Sequence, residues 1–269
     1  MKVKEGNILS KSDLDSIRDQ LEEDARRPFT ISVFGQSGTG KSSLLNAIFG
    51  TDFETNDSEP CTSEPQTFVF KEGPSEIRFV DMPGFGEAKE IDDSRKEQWS
   101  NQAIESDVIL LTLFAISRSV DWDIIWLKDL LGENWSEMKD KLVIVCNKSD
   151  LLEVPDGWLL SRDGEQIKAI PRQGLKELIA RKNEWVKDRA TSLLMEKCTI
   201  IYCSAKSGFG LVDLCKEVLS RIPLEANAAF RAFVDAGEVG RIPRGKSAIF
   251  VPRQYHDMDK GPIFGSRDF

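Results

Sequence analysis

Gly35-Gln36-Ser37-Gly38-Thr39-Gly40-Lys41-Ser42 fits the pattern G-x-x-x-x-G-K-[ST], and its flanks decide how the rest of the chain is read. Thr30-Ile31-Ser32-Val33-Phe34 reads as a short buried strand entering the loop. Ser43-Leu44-Leu45-Asn46-Ala47-Ile48-Phe49 reads as an apolar helical turn leaving it, stopped by Gly50. Glycines let backbone N–H groups curl round a phosphate, and the helix N-terminus adds its partial positive charge. In such a loop Gly35, Gln36, Ser37, Gly38, Thr39, Gly40, Lys41, Ser42 and Ser43 surround the phosphates of a nucleotide. The Lys41 ammonium reaches the β- and γ-phosphates, and the Ser42 hydroxyl ligates Mg²⁺. The bare pattern arises by chance in roughly one chain in a hundred of this length. The strand–loop–helix setting makes chance a poorer account still.

A second match supplies a control. Gly240-Arg241-Ile242-Pro243-Arg244-Gly245-Lys246-Ser247 satisfies the same pattern. Pro243 sits inside it, no buried strand precedes it, and Ala248-Ile249-Phe250-Val251-Pro252 comes where a helix is needed. The context fails, and the match is read as coincidence.

The remaining composition narrows the class. At 269 residues the chain can bury an ample core, and a net charge of −9 argues against nucleic acid or anionic lipid as the main ligand. Cys61, Cys146, Cys198, Cys203 and Cys215 show no paired spacing, which suggests reduced thiols in a cytosol. A single histidine, His256, leaves little room for histidine-based metal sites. The longest apolar run, Val108 to Ile116, is about half of what spans a bilayer and reads as a central parallel strand. A cytoplasmic protein without a transmembrane segment is the expectation.

Strand and helix patterns then alternate. Leu14, Ile17, Leu21 and Ala25 mark an amphipathic helix over roughly 11–27, so 1–27 is assigned to an N-terminal helix. Strands are expected at Phe29–Phe34, Thr67–Phe70, Ile77–Val80, Val108–Ile116, Leu142–Cys146 and Thr199–Cys203. Helices are expected at Lys41–Phe49, 121–131, 173–197 and 210–222, with a charged stretch after Gly86 running to about 98. Segment 151–172, punctuated by Pro155, Gly157, Gly164 and Pro171, reads as an irregular insertion. The alternation predicts an α/β domain over 28–223, with a mostly parallel six-stranded sheet flanked by helices. Residues 224–269 form a C-terminal extension of changed texture.

Four further elements come after the loop in order. Asp81-Met82-Pro83-Gly84 ends an apolar strand; Asp81 can hold a Mg²⁺-bound water, and the Gly84 N–H can face a γ-phosphate. Asn147-Lys148-Ser149-Asp150 comes directly after Leu142–Cys146. A carboxylate there accepts from guanine N1–H and the 2-amino group, and adenine would leave it unpaired, which selects strongly for guanine. Ser204-Ala205-Lys206 comes after Ile200–Cys203, where the Ala205 N–H can donate to guanine O6. Thr62, just before the second strand, can complete Mg²⁺ coordination from a mobile loop, with Thr55 as competitor.

This ordered set, GQSGTGKS, Thr62, DMPG, NKSD and SAK, resembles the translation-factor-related (TRAFAC) GTPases of the Era-like branch. Residues 35–50, 61–65 and 81–86 are most similar to the bacterial YfjP-like and immunity-related GTPases. The resemblance spans roughly 28–222. It implies a Ras-like G domain that binds GTP or GDP with Mg²⁺, with Lys41, Thr62 and Gly84 assisting hydrolysis. It also implies switch loops at about 51–66 and 82–100, ordered by γ-phosphate contacts and available to a homodimer or protein partner. Two departures bear on mechanism. Phe85 stands where Ras-like enzymes place a water-orienting glutamine, and Gly38 stands where potassium-activated relatives carry asparagine. Turnover is therefore expected to be slow, on the order of 10⁻⁴ to 10⁻² s⁻¹ without help. Arg95, Arg118 and Arg172 are the candidate charge donors.

The functional expectation is a slow GTP-hydrolysing switch, stress-, prophage- or defence-related in a bacterium by analogy. The alternatives are a nucleotide-dependent interaction module with little hydrolysis and a ribosome-associated assembly GTPase.

Overall fold

Phe29–Gly35, Val108–Phe114 and Leu142–Asn147 are apolar along nearly their whole length, as expected of strands covered on both faces. In the computed structural model they are neighbours at the centre of one sheet. The structure describes residues 28–49, 53, 55, 64–72, 75–86, 89–153, 157–163, 166–194 and 198–221. The expected N-terminal helix, Thr62, Cys61, His256, the second loop-like match and the extension from 224 lie outside the described residues.

The chain runs β1 (Phe29–Gly35), α1 (Lys41–Phe49), β2 (Gln66–Glu72), β3 (Ser75–Asp81), α2 (Lys89–Glu105), β4 (Val108–Phe114) and α3 (Asp121–Leu131). It continues through a short α4 (Trp135–Met138), β5 (Leu142–Asn147), β6 (Trp158–Asp163), β7 (Gln166–Pro171), α5 (Gln173–Leu194), β8 (Thr199–Tyr202) and α6 (Leu211–Arg221). The main sheet has the order β2-β3-β1-β4-β5-β8, with β2 antiparallel to β3 and every other pairing parallel. The expected six-stranded, mostly parallel α/β architecture is what the chain adopts. Strand order reverses at β1, and in open sheets of this kind the crevice beyond the strands' carboxyl ends is where ligands bind.

Alternation along the strands divides the core in two. Ile31, Val33, Phe79, Val108 and Leu110 face α1 and α6, meeting Leu44, Leu45, Ile48, Leu214 and Val218. Phe34, Val80, Ile109 and Leu111 face the opposite layer, meeting Trp99, Ile124, Leu127 and Val186 of α2, α3 and α5. β1, β4 and β5 thus bury both faces, and register is held because a one-residue slip would exchange the two sets.

Two elements depart from expectation. The charged stretch after Gly86 is mostly helix: α2 begins at Lys89 and runs to Glu105. Its sequence hides this, because Trp99 and Ala103 are the apolar residues it buries completely and no continuous stripe appears. Segment 151–172 is not irregular throughout. It contains an antiparallel hairpin, β6 paired with β7 from Trp158↔Pro171 to Asp163↔Gln166. Pro171 sits at a strand end, where its missing N–H removes no interior bond. The hairpin is rooted by Trp158, which is buried and packs edge-on against Phe209 with ring centroids 5.7 Å apart. Phe209 in turn accepts a backbone hydrogen bond from Ser204 N–H at 2.9 Å. Trp158→Ala is expected to cost about 3–5 kcal/mol of stability, read as a lowered midpoint in chemical denaturation; an unchanged midpoint would show that the hairpin is not anchored by this ring.

Candidate nucleotide site

A loop that offers N–H groups to an anion must satisfy its own carbonyls from behind. Here that is done by three side chains. The Lys41 ammonium donates to the Gly35 and Gln36 carbonyls, both at 3.2 Å, and Thr39 Oγ1 donates to the Gln36 carbonyl at 2.9 Å. Asn147 Nδ2 donates to the Thr39 carbonyl at 3.0 Å and to the Gly40 carbonyl at 3.3 Å. Gly40 has φ +86, and a Cβ there would lie 2.8 Å from Asn147 Nδ2, so conformation and space both demand glycine. The Gly40 carbonyl also takes Leu44 N–H at 2.9 Å, which starts α1 without an intervening turn.

On the β3 side, Ser42 Oγ donates to Asp81 Oδ2 at 2.5 Å. This donor set fits Mg²⁺, which uses one or two protein oxygens and fills its octahedron with waters and phosphate oxygens. Among the described residues no group of three or more His, Cys, Asp or Glu side chains forms an all-protein cage. Gly84 packs so closely on the loop that a Cβ would lie 2.6 Å from Ser37 Cα. Phe85 extends the contact: Ser37 N–H donates to its carbonyl at 3.2 Å and its N–H donates to the Gly35 carbonyl at 3.4 Å.

The base-reading elements meet at the ends of β5 and β8. Asn147 Oδ1 accepts the Ala205 N–H at 3.1 Å, and Asp150 Oδ1 accepts from Ser204 Oγ at 2.6 Å. The Ala205 N–H, expected to face a guanine oxygen, is therefore engaged by Asn147 in this structure. Lys148 adopts a left-handed conformation with φ 59, and its ammonium lies 5.4 Å from the centre of the Phe114 ring. Ser149 N–H donates to the Cys203 carbonyl at 3.0 Å, tying the two loops together. Lys206 is exposed in the turn beyond, and Ser43 is the third residue of α1. Thr55 is exposed, whereas the favoured Thr62 falls outside the described residues.

Phe85 is buried at 1% exposure rather than directed at solvent. Its ring stacks on Trp126 (centroids 3.7 Å apart, planes 17°) and tilts against Trp122 at 5.6 Å. Trp99 meets Trp126 edge-on at 5.2 Å and donates its indole N–H to the Pro83 carbonyl at 3.2 Å. The sequence reading missed this aromatic wall, and it missed Asp123 beside it. Asp123 is buried. Its one legible signal was an acidic pair, Asp121 and Asp123, in the first turn of α3. The three candidate arginines sit on separate elements: Arg95 in α2, Arg118 between β4 and α3, and Arg172 just before α5. None of the described cysteines, Cys146, Cys198, Cys203 and Cys215, is in a disulfide. Burial pushes the Cys146 and Cys215 thiols up to about 12 and the Cys203 thiol well above its usual range, so these three are inert.

Burial raises the Asp123 carboxyl from 3.8 to about 6, against a smaller lowering effect of the neighbouring Gln36 side chain. A carboxyl raised on folding stabilises the fold at pH below its unfolded value, and that contribution fades as pH rises through about 6. Asp123→Asn removes the titration. The variant should gain thermal stability relative to wild type as pH is raised from about 4 to about 7. A stability difference independent of pH would contradict the assigned shift.

A family model described as 50S ribosome-binding GTPase matches residues 30–148. Two uncharacterized Escherichia coli (strain K12) proteins, YkfA and YfjP, are 26% and 25% identical over 199 residues, which is 74% of this chain and 63% of theirs. The chain thus spans less than two thirds of the curated relatives it matches. A crystal structure of Era in complex with MgGDPNP and a 16S ribosomal RNA fragment superposes with TM-score 0.55 at 20% identity, covering 73% of this chain and 57% of Era. Toc33 from Arabidopsis thaliana, whose dimerization is described as important for GTPase activity, superposes with TM-score 0.54 at 15% identity over 88% of this chain and 92% of its own. At such identities the likeness carries the fold. The RNA in the Era complex means that the charge-based exclusion of nucleic acid finds no support among these proteins. No helix among the described residues is long and apolar enough to cross a membrane. Over residues 30–148 the chain thus matches a GTPase family model, and it shares its fold with Era and Toc33.

Proposed function

We propose that this protein binds GTP and GDP with Mg²⁺, hydrolyses GTP slowly to GDP and phosphate, and acts as a cytoplasmic nucleotide-dependent switch. The observation that carries this reading is Asn147. One amide side chain ties the phosphate loop through the Thr39 and Gly40 carbonyls and the base-side loop through the Ala205 N–H. Phosphate and base recognition are thereby held in one rigid frame.

In this reading the backbone N–H groups of Gly38 and of Gly40 to Ser43 and the Lys41 ammonium neutralise the phosphates, and Gly84 N–H and Thr62 serve the γ-phosphate. Ser42 and Asp81, with Thr62, would hold Mg²⁺, which would supply charge neutralisation at the phosphates. Asp150, braced by Ser204, and Lys148 read and cover guanine. Hydrolysis here is positioning and electrostatics, with little covalent work for the protein. The G domain is assigned to 28–223, preceded by the 1–27 helix and followed by the 224–269 extension.

Residues 51–66 and 82–100 are the proposed switches, and either a second copy or another protein acts through them. A cavity lined by Glu64, Pro65, Arg95, Gln98 and Gln102 lies between the two segments. Assignment to stress, prophage or defence regulation in a bacterium rests on the YfjP-like resemblance alone. A second reading, a binder with little hydrolysis, is favoured by one observation: Phe85 is buried in an aromatic wall and has no group that can orient water.

Calorimetry of the nucleotide-stripped protein tests the first claim, with GTP and GDP expected to bind and ATP not. Lys41→Ala should weaken GTP binding by at least about tenfold. Asp150→Asn should lower guanine affinity on the order of a hundredfold while gaining xanthine nucleotides. No heat with either guanine nucleotide would sink the reading, and unchanged selectivity would remove Asp150 from its role. Phosphate release at low and high protein concentration separates switch from binder: release no faster than the uncatalysed background leaves only the binder.

A further inference from the structure

We propose that Asn46, on α1, is a positioning residue that fixes the first end of the switch assigned to residues 51–66, so that the segment distinguishes a triphosphate from a diphosphate. This rests on the GTPase reading above and deepens it. Both halves of the Asn46 amide are used on the backbone of one residue. Its Nδ2 donates to the Phe53 carbonyl at 2.8 Å, and its Oδ1 accepts the Phe53 N–H at 2.9 Å. Two such bonds fix the direction of the chain as well as its position, as pairing with a neighbouring strand would. Phe53 supplies a second hold, since it is 9% exposed and belongs to the core cluster of Leu44, Leu45 and Ile48.

The two ends of the segment are held beside the two described groups assigned to Mg²⁺. Asn46 comes one helical turn after Ser42, which puts the two residues on the same face of α1. At the far end Gln66 opens β2 and is paired in register with Asp81, to which Ser42 Oγ donates at 2.5 Å. Both candidate threonines, Thr55 and Thr62, fall between these anchors in sequence. A segment fixed at both ends has fewer conformations to lose when a ligand orders it. A hydroxyl carried on it therefore meets the metal and the γ-phosphate at a smaller entropic cost. GDP has no γ-phosphate, so this gain belongs to the triphosphate complex. The phosphate-loop donors, by contrast, serve both nucleotides. A clamp that only stabilised the fold would favour neither.

The test uses the full chain with Mg²⁺. Affinities for GDP and for the non-hydrolysable analogue GMPPNP, together with hydrogen exchange of the Phe53 amide, are measured in wild type, Asn46→Ala and Phe53→Leu. In wild type the Phe53 amide should be protected with either nucleotide bound. Asn46→Ala should lose that protection and bind GMPPNP on the order of tenfold more weakly, while GDP affinity stays within about threefold of wild type. Phe53→Leu keeps the backbone groups that Asn46 holds. Its ratio of GMPPNP to GDP affinity should stay within about threefold of wild type, even where its melting temperature falls. Parallel losses of both affinities in Asn46→Ala, or a variant that no longer folds, overturn the positioning role and leave Asn46 a brace of the fold. An unprotected Phe53 amide in the wild-type complexes overturns it as well, because the end would not be fixed. A selective loss in Phe53→Leu equal to that in Asn46→Ala gives the hold to the ring and takes it from the amide. Wild-type protein that binds neither guanine nucleotide defeats the GTPase reading, and this proposal with it. Wild-type binding of both, with an unchanged ratio in Asn46→Ala, defeats this proposal alone.

Discussion

Everything in this site stems from a constraint on one short loop. To offer N–H groups to a polyanion, residues 35–43 must turn their carbonyls away from it, and those carbonyls cannot be left bare in a folded interior. Lys41 and Thr39 satisfy two of them from within the motif, and Asn147, more than a hundred residues later, satisfies two more. The parallel sheet exists, in functional terms, to bring β1 and β5 to the same edge so that this is possible. Lys41 accordingly has two demands on it: it is 7% exposed and bonded to loop carbonyls here, and its ammonium is also the cation assigned to the phosphates.

The second organising feature is the asymmetry between the two ends of the site. The base end is polar and knitted by short bonds among Asn147, Asp150, Ser204 and Ala205. The end at Ser37 and Gly84, assigned above to the γ-phosphate, is an aromatic wall of Trp99, Trp122 and Trp126 against which Phe85 lies. A polar network is rigid and specific, which suits discrimination of one purine from another. Stacked rings can part and re-form with little directional penalty, which suits the proposed switch at 82–100. Trp122, half-exposed beside Gly86, lies where that wall meets solvent.

How much of this could be read beforehand depended on whether the signal was local. Central strands announced themselves because burial on both faces forbids polar residues for the length of the strand, as in Val108–Phe114. Helix 121–131 agreed with its expected bounds. Helix α2 did not announce itself, because it touches the core mainly through Trp99 and Ala103 and is otherwise charged. The β6–β7 hairpin was hidden by proline and glycine that mark its ends rather than interrupt its strands. In the site, residues recognised by motif were brought together at the strand ends. Asp123 and the tryptophans were invisible, since their roles depend on what lies opposite them.

Residue order alone was enough for the nucleotide-binding class and for the succession of strands and helices, because spacing within a loop and periodicity along a strand are properties of neighbouring residues. It also put glycine at positions 40 and 84, where the loop leaves no room for a side chain. Packing had to settle which groups brace the loop, where Phe85 rests, and that Ala205 N–H meets Asn147. Those outcomes depend on distances between segments far apart in the chain, such as Thr39 and Asn147 at a separation of 108 residues. The two helical layers set such distances, and no local pattern records them.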